Sequence, residues 1–384
     1  MRILIDFTQI PVKRTGAGVY AENLIRALVP VVEPDDRLFL LLQSDETVLR
    51  KELQTAANVR ILSVPGRLFR NRFALMLFEQ LILPSVLLVH RIDVLHSLHY
   101  TLPLWSPAAR VVTFHDMTML LWPELHTRGR RLIMPVYMRL AAKLADAILF
   151  VSTATQKDAE RLMQRRKKFD AVTPLGVGPD RFLIPSADAV ASGLEKLAIR
   201  LPYLLFIGTI EPRKNLVRLI RAFDRIAAEF PEHSLVLAGK LGWNFDPVLD
   251  AMRNSPFRQR IRHLGYISED QKRILLAACD ILIYPSLYEG FGLPVLEAMA
   301  AGVPVITSNV SSLPEVAANA AILVDPESVD QLASTIQSLL SDPELAEVLR
   351  IQGRERAMSF SWKRTAAETY KAYQSTYHGQ TAKV

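Results

Sequence analysis

The sequence predicts an α/β protein made of two Rossmann-like parallel-sheet domains that face each other across a cleft. Three observations lead to this prediction. Short β-rich apolar runs alternate with helical patterns, the alternation occurs in two series, and a Pro- and Gly-rich segment separates the series. In sheets of this kind, ligands bind beyond the carboxyl ends of the strands. Functional residues are therefore expected in loops that follow strands.

The first series opens with the strand run RILIDF (2–7), a glycine-containing loop and a helix. In that helix Ala21, Leu24, Ile25 and Leu28 fall at helical spacing, which predicts an amphipathic helix. Five more strand runs follow, in this order: RLFLLLQ (37–43), VRILSVP (59–65), DVLHS (93–97), RVVTFHD (110–116) and DAILFVS (146–152).

The second series repeats the plan with six runs: YLLFIGT (203–209), SLVLAGK (234–240), RIRHLGY (260–266), DILIYPS (280–286), VPVITS (303–308) and AAILVD (320–325). Between the series, VTPLGVGPDRFLIPS (172–186) lacks periodicity, as expected of a linker. We therefore predict an N-terminal domain over 1–175 and a C-terminal domain over 176–360.

The composition limits the class of protein. A chain of 384 residues that is 50% hydrophobic and 22% charged suits two domains with their own cores and excludes a disordered or collagen-like chain. The single Cys279 excludes a disulfide framework and favours a reducing compartment. The longest apolar run (81–91) is broken by Pro84 and falls short of the ~18–20 residues that span a membrane. The early Asp6 argues against a signal peptide, so we expect a soluble, cytoplasmic protein.

The net charge of +7 lies in the first half of the chain. Residues 1–190 contain 25 Lys and Arg against 18 Asp and Glu, whereas residues 191–384 contain 21 of each. No RNA-binding motif or zinc finger accompanies this charge, so nucleic acid is not an expected partner. Apolar segments flank the basic clusters, which favours contact with an anionic membrane surface; a solvated basic face over core helices is the alternative. The densest clusters are Arg67, Arg70 and Arg72; Arg128, Arg130 and Arg131; and Arg165, Arg166, Lys167 and Lys168.

The segment YPSLYEGFGLPVLEAMAAGVPVITS (284–308) is the most informative, because a strand runs into a loop and then a helix. Gly290 and Gly292 allow the loop backbone to approach a ligand, and the helix N-terminus offers N–H groups to phosphate. Glu289 lies in the loop, where it would face a reacting sugar. Glu297 is expected in the first helical turn, where it binds a ribose diol or merely complements the helix dipole.

Two further strand ends carry polar residues. FIGTIEPRKNLVRLIRAF (206–223) places Arg213 and Lys214 before a helix, where two cations suit a diphosphate leaving group; a solvated basic loop is the alternative. RVVTFHDMTML (110–120) ends its strand at His115, which suits substrate positioning, charge stabilisation or acid/base work. Asp116 either orients that imidazole or caps the next helix.

EGFGLPVLEA resembles the Glu-x7-Glu signature of retaining glycosyltransferases with the GT-B fold, family 4 in particular. The segments above match that family in order, and the resemblance covers essentially the whole chain. It implies that Glu297 binds the ribose of a nucleotide-sugar donor. It also implies that Glu289 and the neighbouring loop hold the sugar and stabilise its developing positive charge. The loop residues implied are Gly290, Phe291, Gly292 and Leu293.

The resemblance assigns the remaining site residues. Arg213 and Lys214 grip the diphosphate, although many members have an arginine where this chain has Thr209. His115 contacts the donor sugar. Gly16 and Gly18 of KRTGAGVY (13–20) would touch the acceptor or the leaving group, and Tyr266 and Ile267 would pack the base. FSWKRTAAETYKAYQS (360–375) resembles a closing helix, which would return residues 361–384 to the N-terminal, acceptor-binding domain.

The function expected from this resemblance is a retaining hexosyltransferase of cell-surface polysaccharide synthesis. The string EPRKN resembles enzymes that use GDP-mannose. The acceptor is expected to be a lipid-linked glycan, because the basic first domain would face a membrane. The enzyme is expected to act at the inner face of the plasma membrane. There is no Asp-x-Asp and no metal-ligand cluster in the sequence, so no metal or other cofactor is expected.

Several alternatives stay open. The donor could instead be GDP-rhamnose or a UDP-sugar. The same architecture also suits a nucleotide-sugar epimerase, a phosphorylase, or a non-catalytic protein that binds a dinucleotide or lipid. A nicotinamide enzyme is not expected, because GAGVYA lacks the third glycine of the dinucleotide fingerprint. The linkage, the acceptor and the oligomeric state are not indicated by the sequence.

Overall fold

The computed structural model describes residues 1–10, 14, 16–66, 72–126, 128–165 and 168–381. The chain divides into two compact units. Unit 1 comprises Met1–Glu124, Arg128–Gly176 and Ser361–Val384, and unit 2 comprises Leu125–Thr127 and Val177–Phe360.

Each unit is built around one parallel sheet. In chain order the strands of the described residues are β1 (Arg2–Asp6), β2 (Arg37–Gln43), β3 (Val59–Val64), β4 (Val94–Ser97), β5 (Ala109–Phe114), β6 (Ala147–Phe150), β7 (Ala171–Val172), β8 (Tyr203–Ile207), β9 (Ser234–Ala238), β10 (Ile261–Gly265), β11 (Ile281–Tyr284), β12 (Val305–Ser308) and β13 (Ile322–Val324). All twelve predicted strand runs are confirmed. The two-residue strand β7 was not predicted, because two residues are too few to show a pattern.

The helices cover both faces of these sheets, as parallel strands with apolar residues on both faces require. In chain order they are α1 (Ala17–Leu28), α2 (Val48–Leu53), α3 (Arg72–Leu77), α4 (Leu83–Val89), α5 (Thr118–Leu121), α6 (Arg128–Leu144), α7 (Thr153–Met163), α8 (Ala187–Lys196), α9 (Leu216–Ile226), α10 (Asp246–Asn254), α11 (Glu269–Ala278), α12 (Leu293–Ala300), α13 (Leu313–Ala317), α14 (Val329–Ser341), α15 (Pro343–Met358) and α16 (Trp362–Thr381). A π-helical turn, Phe78–Ile82, joins α3 to α4.

Both sheets have a point at which the strand order reverses. The order is β3-β2-β1-β4-β5-β6-β7 in unit 1 and β10-β9-β8-β11-β12-β13 in unit 2, so the reversals lie between β1 and β4 and between β8 and β11. At such a point the two connections leave in opposite directions and open a crevice beyond the strand ends, which is where open α/β sheets bind ligands. The two reversals therefore locate the candidate sites.

The apolar pattern of each helix explains its packing. In α1 the four residues at predicted helical spacing are all buried, and α1 packs on α16 in unit 1. Helix α16 is fastened to the rest of unit 1 by its tyrosines. The Tyr370 hydroxyl donates to Asp36 over 2.5 Å, and the Tyr373 hydroxyl lies 2.6 Å from His96 Nδ1.

The segment predicted to be a linker has more structure than expected. It begins with β7 and contains a 3₁₀ turn, Pro179–Phe182, whose Arg181 is largely buried. At Gly176 an added Cβ would lie 2.1 Å from the Trp362 backbone nitrogen, so only glycine fits there. The segment lacks periodicity, as predicted for a linker, and tertiary contacts order part of it.

Candidate active site

In unit 2, the loops after β8 and β11 are tied together where the strand order reverses. The Asn215 side chain, at the left-handed residue that starts α9 (φ 63°), donates to the carbonyls of Pro285 over 3.0 Å and Pro326 over 2.6 Å. The Leu287 N–H donates to the Arg213 carbonyl over 2.8 Å. The two loops thus hold their side chains in fixed relative positions.

A buried cluster of charges lies between these loops. Glu289 Oε2 accepts from Arg213 Nη1 at 2.8 Å, and Glu289 Oε1 accepts from Lys214 Nζ. Lys214 Nζ also donates to the Tyr284 hydroxyl at 2.6 Å, and Arg213 Nε pairs with Glu211. Glu211, Lys214 and Glu289 are all buried. Two cations therefore face two carboxylates at a largely buried site, in which Arg213 keeps some exposure to solvent.

The pKa values follow from this arrangement. Burial by itself raises the pKa of Glu289, but the charges of Arg213 and Lys214 and their hydrogen bonds bring it down to about 2. Burial, aided by Arg213, lowers the pKa of Lys214, while burial raises the pKa of Glu211. Glu289 is consequently a fixed anion at physiological pH, unsuited to proton transfer.

The sequence prediction placed Glu297 in the first turn of its helix, and the structure corrects this. Gly292 is in the left-handed conformation (φ 99°) and caps the helix, so α12 begins at Leu293 and Glu297 is its fifth residue. The helix dipole is felt mainly in the first turn. The partner of Glu297 is instead Lys272, whose Nζ donates to both carboxylate oxygens at 2.7 and 2.9 Å.

Sequence reasoning missed two cations beside Glu297. Lys272 is buried on α11, on the same face as the buried Leu275 and Leu276, so a lysine at a core-facing position was a usable signal. Arg181 Nη2 lies 3.7 Å from Glu297 and pairs with Glu269. No sequence pattern indicated Arg181, because its pairing depends on the fold.

The glycine loop between Glu289 and α12 is tightly held. The Ser312 hydroxyl donates to the Glu289 carbonyl, and the Glu289 N–H donates to Ser311, each over 2.9 Å. A Cβ at Gly292 would lie 2.7 Å from a Leu313 methyl carbon. Gly290 and Phe291 are buried and Leu293 is half-buried, so this loop and the cluster form one rigid element.

The predicted base-packing residues lie at the end of β10. Tyr266 follows Gly265 (φ 71°) and is half exposed, and Ile267 is partly buried. They precede α11, which carries Lys272, so the same strand–helix connection places them and the lysine that binds Glu297. Whether they contact a base stays a prediction.

In unit 1, His115 directly follows β5, as predicted. The rings of Tyr20 (5.0 Å between centroids) and His99 (5.7 Å) stand edge-on to its imidazole. Since a carbonyl oxygen only accepts, the 2.8 Å contact between Nε2 and the Leu98 carbonyl makes Nε2 the protonated nitrogen and Nδ1 an acceptor. Burial lowers the pKa of His115, which keeps the ring neutral at pH 7.

The structure distinguishes the two roles considered for Asp116. Its carboxylate accepts from the N–H and the hydroxyl of Thr118 at 3.0 and 2.7 Å, so it caps the turn that starts α5. It makes no hydrogen bond to His115 in the described residues. The capping interpretation is therefore the one that fits.

The predicted glycine loop leads into α1. Gly16 is the N-cap of α1 and has a φ of 45°, a conformation that favours glycine. A Cβ on Gly18 would lie 3.3 Å from the Arg14 side chain, which pairs with Glu46. Lys13 and Thr15 lie outside the described residues.

The basic clusters of the first half are not all surface clusters. Arg165 is buried, pairs with Asp170 at 2.8 Å, and donates to the carbonyls of Ala142 and Ala145. It stabilises the end of α6, so its assignment to a basic face was wrong. Arg131 and Lys168 are exposed. The remaining members lie outside the described residues or their described side chains: Arg67, Arg70, Arg72, Arg128, Arg130, Arg166 and Lys167.

The described residues contain neither a metal-ligand cluster nor a membrane-spanning helix. No group of three or more His, Cys, Asp and Glu side chains in them is placed to hold a metal ion. No helix in the part of the chain that the structure describes has the length and apolar character to cross a bilayer.

Comparison with known proteins gives consistent matches. Residues 195–356 match the family model described as glycosyl transferases group 1, and residues 14–181 match that of glycosyltransferase family 4. The O-antigen chain mannosyltransferase B of Escherichia coli is 30% identical over 97% of this chain and 99% of its own.

Solved structures show the same fold at low sequence identity. Sucrose-phosphate synthase from Thermosynechococcus elongatus is 20% identical, has a TM-score of 0.78, and is matched over 98% of this chain and 99% of its own. Anabaena HepE in complex with UDP and glucose is 17% identical with a TM-score of 0.75, over 98% and 100%.

Proposed function

The chain belongs to the family 4 (group 1) glycosyltransferases of the GT-B fold, and from that premise we propose that it transfers mannose from GDP-mannose to a saccharide acceptor with retention of configuration. The observation that carries the proposal is the buried cluster in which Glu289 contacts both Arg213 and Lys214. The similarity to an O-antigen mannosyltransferase over the whole chain supports mannose as the sugar.

In the proposed reaction, the bond between mannose C1 and the diphosphate oxygen breaks while an acceptor hydroxyl oxygen forms a new bond to C1 on the same face. The acceptor proton passes to the departing phosphate oxygen. Arg213 and Lys214 stabilise the growing negative charge of the leaving diphosphate. Because these cations lie in a rigid buried cluster, little reorganisation is needed when that charge develops.

Glu289 contributes as an anion in this scheme. With a pKa of about 2 and both carboxylate oxygens bound to cations, it is a poor base and a poor nucleophile. It therefore stabilises positive charge on the sugar. His115 presents the unprotonated Nδ1 of a neutral ring, which suits accepting a hydrogen bond from a sugar hydroxyl and not donating a proton.

The nucleoside half of the donor is assigned to Glu297. Lys272 fixes the position of this carboxylate, whose remaining lone pairs accept hydrogen bonds from a ribose diol. The nearby Arg181 Nη1 is buried and has no hydrogen-bond partner among the described residues, so this region has donor capacity left for a polar ligand.

A metal ion is not part of the proposal, because Arg213 and Lys214 supply the positive charge that a diphosphate requires. The test is a donor screen with the full chain in EDTA. Release of nucleoside diphosphate is measured for GDP-mannose, GDP-rhamnose and UDP-glucose, together with thermal stabilisation by GDP, UDP, ADP and NAD.

We expect turnover of GDP-mannose and stabilisation by GDP in EDTA. If only a divalent cation restores turnover, the proposal that no metal is needed is contradicted. If only UDP stabilises the chain, the proposal that mannose is the transferred sugar is contradicted. Conversion of the donor to an isomer without acceptor would favour an epimerase, and a requirement for free phosphate would favour a phosphorylase. Stabilisation by NAD alone would indicate a dinucleotide-binding protein.

The proposed acceptor is lipid-linked, and unit 1 has a surface that suits a membrane. On α6, the exposed apolar side chains of Leu132, Ile133 and Val136 share one face beside the exposed Arg131. An apolar face next to a cation is the pattern of helices that lie in the interface of anionic bilayers. This supports peripheral association with a membrane, and we propose its cytoplasmic side as the place of that contact.

The membrane proposal is tested by sedimentation with anionic vesicles. Leu132→Ser combined with Ile133→Ser is expected to reduce binding, whereas Ile351→Ser, an exposed isoleucine of unit 2, serves as the matched control. Full activity on a lipid-free acceptor together with no vesicle binding would contradict the proposal.

A further inference from the structure

The strand-order reversal of unit 1 carries a polar cluster that no role described above uses. Glu79, buried in the π-helical turn between α3 and α4, reaches the ends of β1 and β4. Its Oε2 accepts from the Gln9 amide at 2.8 Å and from the Thr101 hydroxyl at 2.7 Å. Its Oε1 accepts from the Gln80 amide at 3.1 Å. Gln9 follows β1 and Thr101 follows β4, so Glu79 joins the two loops that border the crevice.

Unit 2 shows the same arrangement at its own reversal. There Glu289 joins the loop after β8 to the loop after β11 through Arg213 and Lys214. Each carboxylate therefore bridges two loops at the reversal of its sheet, Glu79 from the helical connection before β4 and Glu289 from the loop after β11. The two differ in their partners. Glu289 is bound by two cations, whereas every described hydrogen bond to Glu79 comes from a neutral amide or hydroxyl.

This difference in partners indicates a difference in ligands. Two cations suit an anionic diphosphate. A carboxylate set among amides and a hydroxyl, with no cation, disfavours an anion and suits the hydroxyls of a neutral sugar. Gln9 and Thr101 are only partly buried, so they border the crevice while Glu79 lies beneath them. The loop after β4 also carries the exposed aromatic side chain of Trp105.

We propose that Glu79, Gln9 and Thr101 form the subsite that binds the neutral saccharide of the acceptor. The inference rests on the proposed function and deepens it, since it names residues and a ligand class for the acceptor. Two features fit the subsite. π-Helical turns are found frequently at functional sites. A buried carboxylate that has no ion pair among the described residues also carries a desolvation cost that a purely structural role does not require.

The electrostatics of the cluster give the subsite a pH dependence. Burial, together with the nearby Asp6, raises the pKa of Glu79 to about 7, although the hydrogen bonds from Thr101, Gln9 and Gln80 lower it. The groups facing Glu79 are Asp6 from β1 and Tyr137 from α6, whose own pKa values are raised by burial. Ionised Glu79 accepts hydrogen bonds only, so saccharide binding is expected to strengthen as pH rises through 7.

The test measures, by saturation-transfer NMR, the binding of methyl α-D-mannopyranoside and of mannotriose to the full chain. The variants are Glu79→Gln, which is nearly isosteric and resembles the protonated form, and Thr101→Val, which removes the hydroxyl. The matched control is Asp36→Asn, a buried carboxylate of unit 1 before β2, at the opposite end of the strands. Stabilisation by GDP is measured for every protein.

We expect wild-type chain to bind at least one of these saccharides and both site variants to bind it about tenfold more weakly, since each loses a hydrogen bond of the charged network. The pH dependence is expected to vanish in Glu79→Gln. Asp36→Asn is expected to bind normally.

The inference is overturned if wild-type chain binds neither saccharide, if Glu79→Gln binds as wild type does, or if Asp36→Asn is weakened equally. Stabilisation by GDP separates this failure from that of the proposed function. Loss of saccharide binding with GDP binding intact removes only the acceptor subsite, whereas absence of a GDP response in wild-type chain removes the donor assignment.

Discussion

Replacing Glu289 by glutamine tests whether this carboxylate holds Arg213 and Lys214 in place. The substitution keeps the shape of the side chain but removes the charge that both cations contact. A pKa of about 2 in the folded state against 4.5 for the free group corresponds to ~3 kcal/mol of folding free energy. Breaking a buried ion pair costs ~3–5 kcal/mol in other proteins, which agrees with that magnitude.

The sign of the effect follows from the direction of the shift. A carboxyl group with a depressed pKa contributes its stability above the pKa of the unfolded state and loses it as pH falls through the folded-state value. At pH 7 the full ~3 kcal/mol is therefore present in the wild-type chain. For a domain of ~150–250 residues, its loss lowers the melting temperature by about 10 °C.

The assay is thermal unfolding at pH 7 with and without GDP. We expect Glu289→Gln to melt well below wild type and to gain more from GDP, because the diphosphate restores negative charge beside two cations that would otherwise face Glu211 alone. Turnover of GDP-mannose is expected to fall sharply. Glu347→Gln is the matched control, since that carboxylate of α15 is more than half exposed and its removal costs under ~1 kcal/mol. Wild-type stability in Glu289→Gln, or a smaller gain from GDP, would refute the reasoning.

Three further predictions concern Glu297, Arg165 and His96. Glu297→Gln removes a charged acceptor, so GDP affinity measured by calorimetry is expected to fall at least ~tenfold; an unchanged affinity would exclude Glu297 from the ribose site. Arg165→Ala removes the ion-pair partner of Asp170 and the donor to two helix-end carbonyls, and it is expected to lower the free energy of unfolding in urea by ~3–5 kcal/mol. The control Arg131→Ala, at an exposed arginine, is expected to lower it by under ~0.5 kcal/mol. Equal stability of the two variants would show that Arg165 acts as a surface residue. Burial and the nearby His115 lower the pKa of His96 to about 3. Below pH 6.5 this histidine is protonated in the unfolded chain but not in the folded one, so the free energy of unfolding falls by ~2 kcal/mol between pH 7 and pH 5. His96→Gln is expected to lose that part of the pH dependence.

The strands and the first helix were predictable because their signals are local. A parallel strand buried on both faces is a short continuous apolar run, and such runs mark all but the two-residue β7. Glu289, Arg213 and Lys214 were found for a related reason. Each lies in the loop after such a run, and the chain direction of a parallel sheet brings those loops to one edge.

The pairings within the site were not predictable, because they join segments far apart in the chain. Lys272 and Glu297 are 25 residues apart and meet only through the packing of α11 near α12. The helix carrying Glu297 starts one residue earlier than Pro294 suggested, because Gly292 adopts a left-handed cap. Arg165 looked like part of a charge run, since sequence alone does not show that it turns inward to the end of α6.

The burial of Glu79 was likewise not predictable from the local sequence. It lies in an apolar segment, FALMLFEQLIL, where a single acid reads as a solvated position of an amphipathic helix. In the structure it is buried within the π-helical turn and bonded to the loops after β1 and β4. A local pattern does not predict such a turn, so only the structure indicates the subsite.

The central claim is tested most directly by following GDP-mannose and an α-mannoside acceptor with the full chain in EDTA by proton NMR. The account predicts release of GDP together with a new mannosidic linkage whose anomeric signal is α, and loss of both in Glu289→Gln. A β-linked product, or consumption of GDP-mannose that is unaffected in Glu289→Gln, would contradict it.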